Sequence, residues 1–241
     1  MSNPIRAKIG FISPRSATSP HYSTFKAFIP EDIQFDFEGL ELAGSSLYEL
    51  KGKKGAILKR TLDLTRKHQW QGVIMSGAPV EVLNPGLFEE LRSLLTVPAT
   101  TALTSSVAAL RAFSAKRVLL MTPFDEPMNK MIREYLANVG IEAVSPKETL
   151  GHYTDALKLG PKEVYSSTRT ALEGLQGIEA IYFQGAVLDP LKILETMETE
   201  LDKTIISSNP AMLWFILSKL GLSYRINGYG KLLARWPKLP D

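Results

Sequence analysis

Few residues in this sequence could carry acid–base or nucleophilic chemistry. None of its 241 residues is cysteine, which excludes disulfides, thiolate metal sites and thiol nucleophiles. Of the 3 histidines, His68 belongs to a charged helix end that we expect to be exposed, His21 lies in a Ser/Pro-rich loop, and His152 follows a predicted strand. Because histidine titrates near neutral pH, His152 is the candidate catalytic acid or base, and His21 is a second candidate on a loop that could close over the site. The alternative for both is a hydrogen-bonded loop residue.

Several polar residues at predicted strand ends could bind an anion. Arg15 could hold a carboxylate through two parallel hydrogen bonds, or it could simply face solvent. Ser13, Ser16 and Ser76 could add hydrogen bonds, and Gln184 could present its side-chain amide. Further hydroxyls and an amide stand where strands give way to helices, whose N-termini attract anions, although plain N-capping explains them equally well. These junction residues are Thr101, Ser207, Ser208 and Asn209.

Two carboxylates, Glu81 and Asp189, follow predicted strands by a few residues and could serve as bases. Each also opens a predicted helix, where an acidic side chain interacts favourably with the positive end of the helix dipole, and we prefer this interpretation. The sequence contains no glycine-rich phosphate loop, no His/Asp metal cluster and no Ser-His-Asp spacing. We therefore expect no metal and no cofactor.

The composition is that of an ordinary globular protein. Hydrophobic residues make up 44% and charged residues 22%, and the net charge is +3 from 28 basic and 25 acidic residues. This charge is too weak and too dispersed to predict nucleic-acid binding. No run of 18 apolar residues occurs and no apolar leader precedes the first predicted strand, so we expect a cytoplasmic protein without a membrane span.

The elements that must position these residues alternate along the chain. Short β-branched or apolar runs are separated by longer stretches with helical periodicity, which predicts an α/β fold of parallel sheets covered by helices. Several strands are continuous apolar runs, as expected for sheets buried on both faces. The predicted strands are Lys8–Ile12, Gln34–Leu42, Gly72–Met75, Pro98–Ala102, Arg117–Met121, Glu142–Pro146, Ala180–Phe183 and Thr204–Ser207.

The two halves of the chain carry the same features in the same order. A hydroxyl–proline pair follows a strand, small residues follow a later strand, and a hydroxyl pair precedes a helix. Thr101 follows Ala78 by 23 residues, and Ser208 follows Gly185 by the same 23. Any two α/β lobes could share such periods, but the common order and spacing favour duplication. Ligands bind at the carboxyl ends of strands in open α/β sheets, so we expect two pseudo-symmetric four-stranded lobes with a cleft between them.

The sequence resembles the aspartate/glutamate racemase superfamily, in the branch that contains arylmalonate decarboxylase and maleate cis-trans isomerase. No single motif is strong, but together the motifs run nearly from end to end in a specific order. They are Ile9-Gly10-Phe11-Ile12-Ser13-Pro14, Gly72-Val73-Ile74-Met75-Ser76-Gly77, Thr122-Pro123-Phe124 with Met128-Asn129, Ser207-Ser208-Asn209-Pro210-Ala211 with Trp214, and Gly228-Tyr229-Gly230-Lys231-Leu232.

The resemblance implies a small carboxylate or dicarboxylate held between two lobes, no metal or organic cofactor, and chemistry by one or two cysteines. The cysteine positions match Ala78 and Gly185, so both catalytic thiols are missing. Pro79, Val80 and Phe124 also replace hydroxyl-bearing residues of the family, which favours natural divergence over engineered removal of the thiols. The substrate-binding residues that the resemblance and the strand ends together predict are Ser13, Pro14, Arg15, Ser76, Ala78, Pro79, Val80, Thr122, Phe124, Gln184, Gly185, Ala186 and Ser208.

Two functions remain open at this point. The first is an enzyme of isomerase or lyase type that acts on a small carboxylate by chemistry independent of cysteine. The second is a protein that binds a carboxylate metabolite without catalysis. We expect residues 1–113 and 210–241 to form one lobe and residues 114–209 the other, and the sequence leaves a homo-oligomer open.

Overall fold

The computed structural model describes residues 4–17, 22–146, 153–185, 187–188 and 190–240, and it contains two parallel sheets. In the first sheet the strand order is β2-β1-β3-β4, and in the second it is β6-β5-β7-β8. Each sheet has four strands, which confirms the predicted α/β class. The strands are β1 (Ala7–Ser13), β2 (Ile33–Gly39), β3 (Gly72–Met75), β4 (Ala99–Thr101), β5 (Arg117–Met121), β6 (Glu142–Val144), β7 (Ala180–Phe183) and β8 (Thr204–Ser207).

Helices flank both sheets. They are α1 (Tyr22–Lys26), α2 (Lys54–His68), α3 (Ala78–Val82), α4 (Leu87–Leu94), α5 (Ala102–Ala112), α6 (Glu126–Asn138), α7 (Pro161–Leu172), α8 (Leu194–Glu200), α9 (Ser208–Lys219) and α10 (Lys231–Arg235), with 3₁₀ helices at Leu47–Leu50, Tyr153–Lys158 and Leu191–Ile193. Among the described residues, no helix is both long and apolar enough to cross a membrane.

The helices α5 and α9 hold the two sheets together. Each begins directly after the last strand of its sheet and the two pack against one another. All ten residues of α9 from Ser208 to Leu217 are buried, so this helix is apolar on every side, as expected for a central helix. It contacts β3 and β4 of one sheet and β8 of the other. The division of the chain into lobes at residues 113 and 209 stays a prediction.

The sheet register corrects the predicted alignment of the two halves. Met75 of β3 pairs with Thr101 of β4, and Phe183 of β7 pairs with Ser207 of β8. Thr101 therefore corresponds to Ser207, and its predicted match with Ser208 is wrong by one residue. The equal spacing misled because the connection is longer in the first half: Thr101 follows Met75 by 26 residues, whereas Ser207 follows Phe183 by 24.

The same register makes Gly77 the structural equivalent of Gly185. Each glycine lies two residues after the end of the equivalent strand, at Met75 in β3 and at Phe183 in β7. Both have a left-handed backbone, with φ of 88° and 117°. Glycine adopts this conformation without steric cost, and it turns the chain sharply at the strand end. The match of Ala78 with Gly185 is therefore wrong, and Gly77 is the residue of the first half that is equivalent to Gly185.

Local contacts explain where the strand prediction was wrong. The predicted strand Gln34–Leu42 ends at Gly39, because Glu41 has a left-handed φ of 54° and turns the chain out of the sheet. The amide of Leu42 then donates to the carbonyl of Pro14, at 3.2 Å, so this segment crosses over the end of β1. This segment therefore lies at the edge of the cleft described below.

Gly10 in β1 is required because the side chain of Trp70 packs too close to it to leave room for a Cβ atom. A Cβ atom at this position would lie 2.1 Å from Cε3 of Trp70, whose indole donates to Asp36 at 2.8 Å and is fixed in place.

We predict that Gly10→Ala lowers the free energy of unfolding by about 1–3 kcal/mol through overpacking. Gly55→Ala in α2, where no atom lies within 4 Å, should be neutral or stabilise by about 1 kcal/mol. Urea unfolding of both variants tests this, and an equal effect of the two would contradict it.

Candidate functional site

A cleft of about 550 Å³ lies at the carboxyl ends of the strands of both sheets. It brings together nine of the residues predicted to bind substrate: Ser13, Pro14, Arg15, Ser76, Pro79, Phe124, Gln184, Gly185 and Ser208. Ser16 and Asn209, which were also candidates, line it too. Sequence analysis missed the remaining lining residues: Phe11, Glu41, Ala43, Gly44, Leu47, Gly77, Tyr153, Leu157, Val187 and Met212.

Other predicted residues are not brought to the cleft wall. Ala78 and Val80 are buried in the core, and the hydroxyl of Thr122 donates to the side chain of Asn129. Their binding roles stay predictions. The candidates His21, His152, Ala186 and Asp189 lie outside the described residues.

Gln184 lines the cleft and has an unpaired hydrogen-bond donor. Its side chain is 1% exposed, and its Oε1 accepts a hydrogen bond from the hydroxyl of Tyr182. Its Nε2 has no partner among the described residues. Leaving a buried donor unpaired is costly, so this amide is a candidate to bind a molecule in the cleft.

The first turn of α9 opens into the same cleft through Ser208 and Asn209. The side chain of Ser207, at the N-cap, accepts no hydrogen bond from the turn. The equivalent turn of α5 is different, because Thr101 Oγ1 accepts from the amide of Thr104 at 3.0 Å. The N-terminus of α9 therefore has no side-chain cap, and its partial positive charge attracts an anion.

Arg15 adds a full positive charge at the edge of the cleft. Its guanidinium donates to the carbonyl of Gly44 and lies 5.7 Å from the ring centroid of Tyr153. The other titratable side chains that line the described part of the cleft are Glu41, which is exposed, and Tyr153.

His68 is the single histidine among the described residues, and it does not line the cleft. Its ring stacks on Trp70 and it is partly buried, so its predicted exposure is wrong.

Much of the cleft lining is apolar. Phe11, Phe124, Leu157 and Met212 contribute to it, together with the ring of Tyr153. The cleft thus combines hydrogen-bond donors with apolar surface that can hold an apolar substituent, a combination common in small-molecule sites.

A hydrogen bond across the rim joins the two halves of the chain. The hydroxyl of Tyr48 donates to Asp125 at 2.6 Å, and Asp125 also caps α6 by accepting from the amide of Met128. Burial and the neighbouring Asp125 carboxylate raise the pKa of Tyr48 to about 12, so its hydroxyl keeps its proton at neutral pH. This contact fixes the 3₁₀ helix Leu47–Leu50 over the cleft. No signal in the sequence pairs residues 77 positions apart.

Glu81 forms a second, buried link between the halves. It lies in the first turn of α3 as predicted, but its side chain is 6% exposed and is bound by residues outside that helix. It accepts hydrogen bonds from Thr101 and, at 2.9 Å, from the hydroxyl of Tyr135 in α6. Burial raises the pKa of Glu81 to about 7, against the lowering effect of these hydrogen bonds. The dipole interpretation was therefore incomplete, because the partner Tyr135 comes 54 residues later.

A family model described as arylmalonate decarboxylase matches residues 26–233. The chain belongs to the arylmalonate decarboxylase family. It is 24% identical over 142 residues to the maleate isomerase of Alcaligenes faecalis, covering 57% of this chain and 54% of that protein. It is 31% identical over 132 residues to the maleate isomerase of Nocardia farcinica (strain IFM 10152), covering 54% of this chain and 51% of that protein. The chain thus spans about half the length of the curated relatives it matches.

Solved structures of this family share the fold. An arylmalonate decarboxylase with two substitutions, in liganded form, superposes with a TM-score of 0.81 at 21% identity, covering 95% of this chain and 98% of that one. The maleate isomerase of Pseudomonas putida S16 with maleate gives 0.76 at 20% identity, covering 95% and 97%. A Nocardia farcinica maleate cis-trans isomerase variant, which carries a covalently bound succinylcysteine intermediate, gives 0.73 at 18% identity, covering 95% and 98%. This arylmalonate decarboxylase family member has no cysteine with which to form such an intermediate.

The buried carboxyl of Glu81 predicts a specific pH dependence of stability. Because its pKa rises from 4.5 to about 7 on folding, the folded state favours the neutral form, and this stabilisation is complete below pH 4.5 and lost as the pH rises through 7. The loss amounts to roughly 3 kcal/mol. The charged and titratable neighbours are Tyr135, whose hydroxyl keeps its proton here, and Glu89.

Glu81→Gln imitates the neutral form, so it should remove this part of the decline in the free energy of unfolding between about pH 5 and pH 8. The exposed Glu173→Gln is the matched control and should leave the decline unchanged. Urea unfolding at a series of pH values gives the measurement. An unchanged decline in Glu81→Gln would show that Glu81 is ionised throughout this range.

Proposed function

We propose that this protein binds a small carboxylate in the cleft and acts on it without a thiol. The observation that carries the proposal is the unpaired, buried Nε2 of Gln184, a residue that lines the cleft together with the uncapped first turn of α9. Both are neutral donors that do not require a counter-charge on the protein. Together with Arg15 they suit the oxygens of a carboxylate.

The missing thiol favours decarboxylation over isomerisation within this family. Cis-trans isomerisation through a succinylcysteine requires a bond from sulfur to substrate carbon, which this chain cannot form. Decarboxylation of a malonate-type dicarboxylate requires no bond to the protein. The bond between the central carbon and one carboxylate breaks, carbon dioxide leaves, and the electron pair stays on the central carbon.

That electron pair delocalises onto the remaining carboxylate, which becomes an enediolate with increased negative charge on its oxygens. The Gln184 amide and the α9 amides would donate to these oxygens more strongly as the charge develops, which lowers the barrier. The departing carbon dioxide is neutral and apolar, and the wall formed by Phe11, Phe124 and Met212 suits it. A proton from water, or from His152 acting as predicted, then completes the reaction at carbon.

Proton exchange at the carbon next to a carboxylate uses the same enediolate and is the related reaction that the site supports. The cytoplasmic location, the independence from cofactors and the oligomeric state remain predictions. The non-catalytic alternative uses the same donors and the same cleft, so only a reaction assay separates it from the enzyme.

Incubation with phenylmalonate, alkylmalonates, maleate and aspartate in deuterated water, followed by NMR, tests the reaction. We expect a substituted malonate to yield its monocarboxylate with one deuterium at the former central carbon. Maleate should remain unchanged, because no thiol adds to it. Saturable carboxylate binding without conversion of any acid would instead establish the non-catalytic binder.

Gln184→Leu should weaken binding of the carboxylate about 10- to 100-fold, the range for loss of one hydrogen bond to a charged group. Gln176 is an exposed glutamine of the same half, so Gln176→Leu is the control and should bind the carboxylate as tightly as the unaltered protein does. Tyr182→Phe removes the hydroxyl that holds Gln184 Oε1 and separates loss of the donor from loss of its support. Isothermal titration with phenylmalonate measures all three, and equal affinities for Gln184→Leu and Gln176→Leu would refute the role of the amide.

A further inference from the structure

A second cavity, of about 530 Å³, lies at the amino end of β4. Residues of α4, α5, α6 and α9 line it, and it shares no lining residue with the cleft. Since the cleft is at the carboxyl ends of the strands, the two cavities open at opposite ends of the first sheet. We call this second cavity the basic groove, for the charges described next.

Three cations from three helices line the basic groove. They are Arg92 of α4, Arg111 of α5 and Lys219 of α9, and all three are exposed. Among the residues that the structure describes, no aspartate or glutamate lines the groove. Within the described ranges, none of these cations lies within 4.0 Å of a carboxylate oxygen. The described lining of the groove therefore carries an excess of positive charge, which attracts an anion.

Neighbouring groups hold the cations at the groove. The guanidinium of Arg92 lies 5.6 Å from the ring centroid of Phe88, and the ammonium of Lys219 lies 5.6 Å from that of Phe215. Arg111 donates through one nitrogen to the carbonyl of Val139 at 2.9 Å. Cations over aromatic faces keep part of their hydrogen-bonding capacity free for a ligand.

The rest of the groove is mainly apolar and can hold an organic group. Phe88 and Phe215 form aromatic walls, and Val97, Val107 and Val139 contribute aliphatic surface. Thr104 and Tyr135 are the polar residues among them, and the hydroxyl of Tyr135 already donates to the buried Glu81. A ligand that matches both properties has an anionic head for the cations and an aromatic body for the walls.

We propose that the basic groove is a second binding site, for a small aromatic anion such as an aryl carboxylate or aryl phosphate. The cations bind the carboxylate or phosphate oxygens, and the aromatic body lies against Phe88 and Phe215. The site does not depend on the reaction proposed for the cleft, because no residue is common to the two.

Valine methyl groups distinguish the two sites in solution. Val97, Val107 and Val139 line the basic groove, whereas Val187 lines the cleft. In protein with isotopically labelled valine methyl groups, titration with phenyl phosphate and with benzoate should shift the three groove resonances in a saturable way. Shifts confined to Val187, or none at concentrations up to about 10 mM, would overturn the proposal.

Matched charge variants then test the cations. The triple variant Arg92→Gln, Arg111→Gln, Lys219→Gln should bind both probes at least about tenfold more weakly. The control Arg60→Gln, Arg66→Gln, Lys59→Gln removes the same charges from exposed positions of α2 and should bind as the unaltered protein does. If both triple variants bound the probes equally weakly, the net charge of the protein would explain the loss of affinity, and the proposed site would be refuted. Groove resonances that move with protein concentration alone, with a dimer in sedimentation, would assign the groove to a second copy of this chain and also refute it.

Discussion

The packing of α5 against α9 is the constraint on which the arrangement of the site depends. Each helix starts where the last strand of its sheet ends, so their mutual contact fixes the carboxyl ends of both sheets relative to one another. Ten consecutive buried residues make α9 the centre of the molecule, and burial on that scale stabilises it by many kilocalories per mole. A cleft between the sheets follows from this packing, whatever residues line it.

The two equivalent helix starts are used differently. At α5, Thr101 caps the first turn and also binds Glu81, so the positive end of the helix is satisfied from within the protein. At α9, Ser207 provides no side-chain cap, and the turn faces the cleft beside the free amide of Gln184. The two equivalent helix starts therefore differ in whether a side chain caps them. Under the proposed function, the uncapped start of α9 is the one that binds the substrate anion.

Local patterns predicted most of the fold. β3, β5, β7 and β8 have their predicted bounds, because their apolar runs are uninterrupted and the flanking residues end them sharply. The short helices α1 and α10 were not predicted, since five residues are too few to show a helical period. The predicted match of Ala78 with Gly185 was wrong, because spacing along the chain does not reveal the longer connection in the first half.

The lining of the cleft was predicted where it depends on strand ends, and contacts between distant residues were missed. Ser13, Arg15, Ser76 and Gln184 line the cleft because the carboxyl ends of parallel strands meet there. The links formed by Tyr48 and by Glu81 join residues 77 and 54 positions apart, and only the folded chain shows them.

A crystal structure of the protein with phenylmalonate tests the central claim most directly. A carboxylate oxygen within about 3.2 Å of Gln184 Nε2 and of the first amides of α9 is the expected result, whereas a ligand bound away from both, with the Gln184 amide paired to the protein, would contradict it.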